Sequence, residues 1–181
     1  QGGGALMVRI ATGSGLSRWP ADPRDPFPVL EVKQSARLLM GWRFSGSWGV
    51  ATLFGGLAAE RRVLPQGFPD PQTGLRLGPA VVFDAWLKPM ERVAVQVYAE
   101  IATPYSAASL RIAPGYEVAE RIFVGPEASV GLHHGTLRSR AGLHVTGLRI
   151  GDVGLRLSGG YAQDRGGRGG AYGTLSLWRS Y

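Results

Sequence analysis

The side chains able to do chemistry are few. The chain has three histidines, thirteen acidic residues and no cysteine among 181 residues. His133 and His134 are adjacent, which invites a metal. On a strand, though, neighbouring side chains point to opposite faces, so the two cannot act as a paired ligand. His144 could approach His133 across strands, yet the spacing fixes no carboxylate beside them. Thiolate ligation is excluded outright. The stretch GGRGGAYG (166–173) has the glycines of a phosphate loop but lacks its Lys-Ser/Thr, and a strand pattern follows it. Gly13-Ser14-Gly15 lacks the third glycine of a dinucleotide fingerprint. No metal and no cofactor is expected. His133 with Ser129 or Ser139 has no spacing that marks a nucleophilic pair, and Asp70, Asp164 and Glu60 form no close Asp/His motif. No catalytic residue is expected either.

Arginine is the exception to this scarcity. Of the 20 basic residues 18 are arginine, the lysines being Lys33 and Lys88, and the net charge is +7. Arginine holds carboxylates and phosphates in a fixed two-pronged geometry, whereas lysine is a loose point charge. The arginines are dispersed, with no aromatic–basic cluster of the kind that stacks bases, so nucleic acid is not an expected partner.

The elements that must position these residues are strands. Apolar residues recur at every second place with almost no helical periodicity. The alternation predicts ten strands, near 5–13, 36–46, 48–60, 76–88, 92–103, 106–118, 121–132, 138–150, 153–163 and 171–181. A twelve-stranded form follows if an N-terminal hairpin is missing. Most of these runs reach the ~9–11 residues that cross a bilayer at a tilt, whereas globular strands average about 5–6. The links alternate between long (14–35, 61–75) and tight, as in outer-membrane barrels. The short PYS link (104–106) breaks that alternation. The longest uncharged run, 44–59, is too short for a membrane helix and carries four glycines. No secretory signal opens the chain. The expected fold is a single all-β domain, 1–181: an antiparallel up-and-down transmembrane β-barrel with both termini periplasmic. Closure would pair the last strand with the first. Leu175, Leu177 and Tyr181 fit such a terminal strand, and Arg179 does not.

Period two also sorts the faces. Leu38, Met40, Trp42 and Phe44 oppose Arg37 and Arg43; Val93, Val95, Val97 and Ile101 oppose Gln96, Tyr98 and Glu100. The polar face carries both charge signs among small residues, which suits a cramped interior. With the apolar face turned to lipid, the interior holds a charge ladder of Arg37, Arg43, Asp84, Glu100, Arg111, Glu117, Glu127, Arg140, His144 and Arg156. Trp42, Trp48, Trp86, Trp178 and Tyr181 lie near strand ends, where interfacial girdles sit. The arginines Arg18, Arg24, Arg61, Arg62, Arg138, Arg165 and Arg168 fall near the outer links, where they could meet lipopolysaccharide phosphates.

The second half carries an ordered series of short motifs: RIFVGPEASVG (121–131), SRAGLHVTGLRIG (139–151) and LRLSGGYAQDRGGRGGAYGTLSL (155–177). In these it resembles the BcsS-type family of cellulose biosynthesis proteins, with LLMGWRF and VVFDAWLKP fitting more loosely. The resemblance implies an outer-membrane β-barrel of Gram-negative bacteria, associated with cellulose synthesis or export, and implies no catalytic residue. The expected function is a non-enzymatic accessory or scaffold. Its partners would be outer-membrane lipid and lipopolysaccharide, together with other envelope or cellulose-export proteins. Two alternatives are a narrow passive pore and a soluble β-barrel binding module with an apolar interior.

Overall fold

The computed structural model describes residues 3–19, 29–63, 74–133, 135–167 and 169–179. Ten strands follow one another: β1 Gly3–Trp19, β2 Val29–Gly46, β3 Gly49–Val63, β4 Gly74–Met90, β5 Val93–Ala102, β6 Ala107–Ala119, β7 Ile122–His133, β8 Thr136–Ile150, β9 Val153–Asp164 and β10 Gly169–Arg179. They form one antiparallel sheet in sequence order. At one end, four two-residue turns join the hairpins at 47–48, 91–92, 120–121 and 151–152. The longer links lie at the opposite end, together with the β7–β8 link, which spans only 134–135 and so departs from the expected alternation.

Each strand falls where the alternation places it, and several run further. Residues 14–19 and 29–35 belong to β1 and β2, paired from Ser14↔Gln34 to Trp19↔Val29, and so are strand rather than outer loop. Residues 61–63 likewise extend β3. The ladder continues because backbone pairing does not require apolar side chains, so it outlasts the pattern that reveals it. Arg18, Arg61, Arg62 and Arg138 therefore sit in strands. Arg24, Arg168, Asp70 and the link cores 20–28 and 64–73 lie outside the described residues.

The sheet is strongly curled. Neighbouring strands lie about 4.8 Å apart, so residues three strands apart in a flat sheet are separated by roughly 14 Å. Yet Arg9 on β1 meets Asp84 on β4 at 3.1 Å, and Arg37 on β2 meets Glu100 on β5 at 2.7 Å. Among the described residues β1 and β10 are not paired, so the described architecture is a curled half-barrel rather than the closed barrel expected from the sequence. Among the described residues the bridges that span the curl join β1 to β4, β2 to β5 and β7 to β10, and none joins the two edges.

Curl gives the faces different solvents. The convex face carries large apolar side chains in the open: Ile10 is 76% exposed and Leu77 73%, with Leu6, Val8, Leu38, Met40, Leu57, Ile101, Leu143 and Leu177 among the others. The concave face holds the charged residues, together with one apolar patch of Leu39, Phe54, Ala58, Ala80, Val82 and Ala102.

Three register shifts, at Leu87/Met90, Glu117/Ala119 and Thr146/Leu148, lie toward the short-turn end. Gly147 serves the last of them: its φ is +90°, and a Cβ there would meet the Arg121 carbonyl oxygen. At the long-link end the link between β5 and β6 is a single 3-10 turn, Pro104–Ser106. It is tied down by Thr103, whose backbone N–H donates to the Pro79 carbonyl at 3.0 Å.

Candidate functional site on the concave face

The motifs of the second half are far apart in sequence but converge in space. Register places Glu127 of GPEA opposite Gly142 of RAG, Gly142 opposite Gly160 of SGGY, and Gly160 opposite Tyr172 of GAYG. With two glycines between them, Glu127 and Tyr172 reach towards each other over β8 and β9. The Tyr172 hydroxyl donates to Glu127 Oε1 at 3.2 Å. A Cβ on Gly142 would lie 2.8 Å from that hydroxyl oxygen and 2.2 Å from the Gly159 carbonyl oxygen. The glycines are thus the floor on which the tyrosine lies.

Glu127 is the hub of this cluster. Its other oxygen, Oε2, accepts a hydrogen bond from Arg156 Nη2, and both side chains are sealed, at 4% and 3% exposure. The Arg140 guanidinium lies over the Tyr172 ring, 5.5 Å from its centroid. His144 is also sealed, and it fills the space above Gly115, whose missing Cβ would stand 3.3 Å from Nε2. Beside it, the Ser158 and Thr174 hydroxyls are 2.5 Å apart.

The first half repeats the same grammar on β2 to β6. Glu100 accepts from the Tyr98 hydroxyl at 2.6 Å and pairs with Arg37 at 2.7 Å. Arg111 lies over the Tyr98 ring at 5.4 Å. Each cluster therefore has a glutamate shared by one tyrosine and one arginine, with a further arginine on the tyrosine's face. Arg9, paired with Asp84, lies 5.7 Å from the Phe54 centroid and 5.9 Å from that of Tyr98.

The ladder residues are thus distributed unevenly. Arg37 pairs with Glu100, and Arg156 with Glu127. Asp84 takes Arg9, which the sequence reading does not single out. Arg43, Arg111 and Arg140 share the concave face but form no salt bridge among the described residues, and Nε of Arg43 and of Arg111 has no hydrogen-bond partner. Glu117 is not part of the ladder. It sits beside the β6–β7 turn, and its Oε1 accepts from the Arg121 backbone N–H at 2.8 Å, where Arg121 has a φ of +62°. Tyr98 and Tyr172 are the polar anchors that a search for charge alone misses.

The aromatics need a parallel correction. Trp42 faces outward with Met40 and Phe44, and Trp48 is exposed in the β2–β3 turn. Trp86 instead points inward, sharing its face with Val82 and Asp84, and packs edge-on against the buried Phe123 at 5.1 Å and 84°. Trp178 shares the face of Tyr172 and Thr174, and its ring covers Gly154. Both lie near strand ends, as a girdle residue would, but strand parity and not height decides the face. Tyr181 lies outside the described residues.

For other chemistry the geometry offers little. Glu60 is buried on the concave face, and Asp164 is held by Arg138 through bonds of 2.5 and 3.1 Å. Among the described residues no three His, Asp or Glu side chains gather as a metal site would need. Of the adjacent histidines, His134 lies outside the described residues.

A family model, cellulose biosynthesis protein BcsS, matches residues 2–181. The chain belongs to that family. The match covers both clusters and every strand, so it takes in the N-terminal half as well as the motif-rich second half. The family name ties the chain to cellulose biosynthesis. No curated protein matches the sequence.

Proposed function

We propose that this BcsS-family chain is a non-enzymatic β-barrel of the bacterial outer membrane, serving cellulose production as an accessory or scaffold component. The observation that carries the reading is the inverted amphipathicity: leucine, isoleucine, valine and methionine cover the convex face, while ion pairs fill the concave one. In water such a convex surface would be a large unpartnered apolar patch. In a bilayer it is the surface that a barrel needs. Strands of 10 to 18 residues, with the long links 20–28 and 64–73 both at one end, support the same reading. A soluble barrel needs the opposite arrangement, with its apolar side chains inside. A wide pore is disfavoured because side-chain bridges cross the concave face from β1 to β4, β2 to β5 and β7 to β10.

Closure of β1 onto β10 belongs to this proposal, because an open sheet edge leaves backbone groups unsatisfied in lipid. The test is fractionation of the native membrane combined with gel mobility before and after boiling. Recovery with the outer membrane and a heat-dependent mobility shift support the proposal. A detergent-free, soluble monomer with unshifted mobility would overturn it. The cellulose role is tested separately, by deleting the gene and measuring cellulose output, where unchanged output argues against it.

A further inference from the structure

Among the described residues the concave face carries more arginines than carboxylates. Asp84, Glu100 and Glu127 each take one arginine, Asp164 is occupied by Arg138, Glu60 is engaged as well, and Arg43, Arg111 and Arg140 form no salt bridge. Enclosed charge without a partner is costly, so a fold that retains it implies a counter-charge from outside. Two of the three surplus arginines are placed together. Arg111 on β6, Ser129 on β7 and Arg140 on β8 occupy one register row. At about 4.8 Å per strand, the two arginine backbones stand roughly 10 Å apart with the serine between them. Long guanidinium arms can converge across that gap on a single oxyanion.

Three further features favour a ligand there. First, neither guanidinium has an ion pair to give up among the described residues: each rests against a tyrosine ring, Arg111 on Tyr98 at 5.4 Å and Arg140 on Tyr172 at 5.5 Å, on either side of the row. Second, a donor stands idle in the row: Nε of Arg111 has no partner. Third, the row is open beyond Arg140: it continues through Ala162 on β9 to Gly170 on β10, where a Cβ would meet nothing within 4 Å. Arg111, Ser129 and Arg140 are themselves half-buried rather than sealed.

We infer that Arg111, Ser129 and Arg140 form a binding site for one oxyanion, the phosphate or carboxylate group of a soluble anionic solute, entered from the long-link end. The row lies four residues from that end on each of β6, β7 and β8. Ser129 supplies a hydroxyl donor, and each arginine supplies a charged fork. The site lies on the concave face, away from the apolar surface, so the occupant is a solute and not a lipid headgroup. The inference goes beyond the proposed function and holds whether or not the chain serves cellulose production.

The test uses the full chain, folded in a neutral detergent at constant ionic strength. Binding of inorganic phosphate is followed by ³¹P line broadening, and acetate is titrated as a competitor. Saturable phosphate binding is expected, weakened about tenfold or more by Arg111→Gln or Arg140→Gln. Arg149→Gln, an exposed arginine at the short-turn end, should leave it unchanged. Arg140→Lys keeps the charge and guards against loss of folding; it should bind more weakly than the parent but better than Arg140→Gln. Competition by acetate assigns the site to oxyanions in general, and its absence narrows it to phosphate. No saturable binding in the parent, or equal binding in the Arg111→Gln/Arg140→Gln double variant, overturns the inference.

Discussion

Replacing Glu127 with Gln should be among the most damaging single changes on the concave face. Arg156 is 3% exposed, and its Nε and Nη1 already lack partners. Its one ionic contact is Glu127, so neutralising that carboxylate leaves a sealed, uncompensated guanidinium. Losing one member of a buried pair costs about 3–5 kcal/mol. That is a large share of the roughly 5–15 kcal/mol that holds a typical domain folded. The Arg9–Asp84 pair is an internal control, because its side chains are 35% and 43% exposed. Solvent screens such a pair, so Asp84→Asn should cost no more than about 1 kcal/mol. A compensating variant, Glu127→Gln/Arg156→Met, removes both charges and should regain most of the loss. Urea unfolding in micelles, followed by tryptophan fluorescence, measures all three. If Glu127→Gln costs no more than Asp84→Asn, or the double variant is no better than the single, the hub role of Glu127 is wrong.

Other predictions follow from the same geometry. Gly142→Ala drives a Cβ against the Gly159 carbonyl and the Tyr172 hydroxyl and should cost about 1–3 kcal/mol in the same unfolding assay. Gly55→Ala, with nothing within 4 Å, should stay within about 0.5 kcal/mol of the parent. Met40→Arg, on the convex face, should lower the stability of protein folded into vesicles by about 2–4 kcal/mol if it lies near the bilayer midplane. An unchanged stability there means that the face does not meet lipid. In single-tryptophan variants, brominated lipid should quench Trp42 strongly and Trp86 weakly, since Trp86 packs inward on Phe123.

Much of this architecture is legible in the sequence because strand period two is the simplest of patterns and persists through ten strands. The ladder's membership follows from parity: Arg37 and Arg43 must oppose Met40 and Trp42 wherever the strand begins. Arg9 is readable in the same way, from the alternation of Leu6, Val8 and Ile10 around it. Its partner is not, because Asp84 lies three strands away and only the curl of the sheet brings the two together. The tyrosine–glutamate contacts escape for a related reason. Glu127 and Tyr172 are 45 residues apart and meet only because Gly142 and Gly160 fall in the same register row. The ends of β1 and β2 are hidden because Ser14, Gly15 and Ser17 break the apolar alternation while the backbone ladder continues.

The absence of cysteine makes the decisive measurement direct. Single cysteines placed from 37 to 44 along β2, spin-labelled and reconstituted in vesicles, report oxygen and water-soluble nickel accessibility residue by residue. The account predicts a period of two, with positions 38, 40, 42 and 44 open to oxygen and shielded from nickel, and 37, 39, 41 and 43 closed to lipid. Nickel access at the even positions, or no alternation at all, would contradict it.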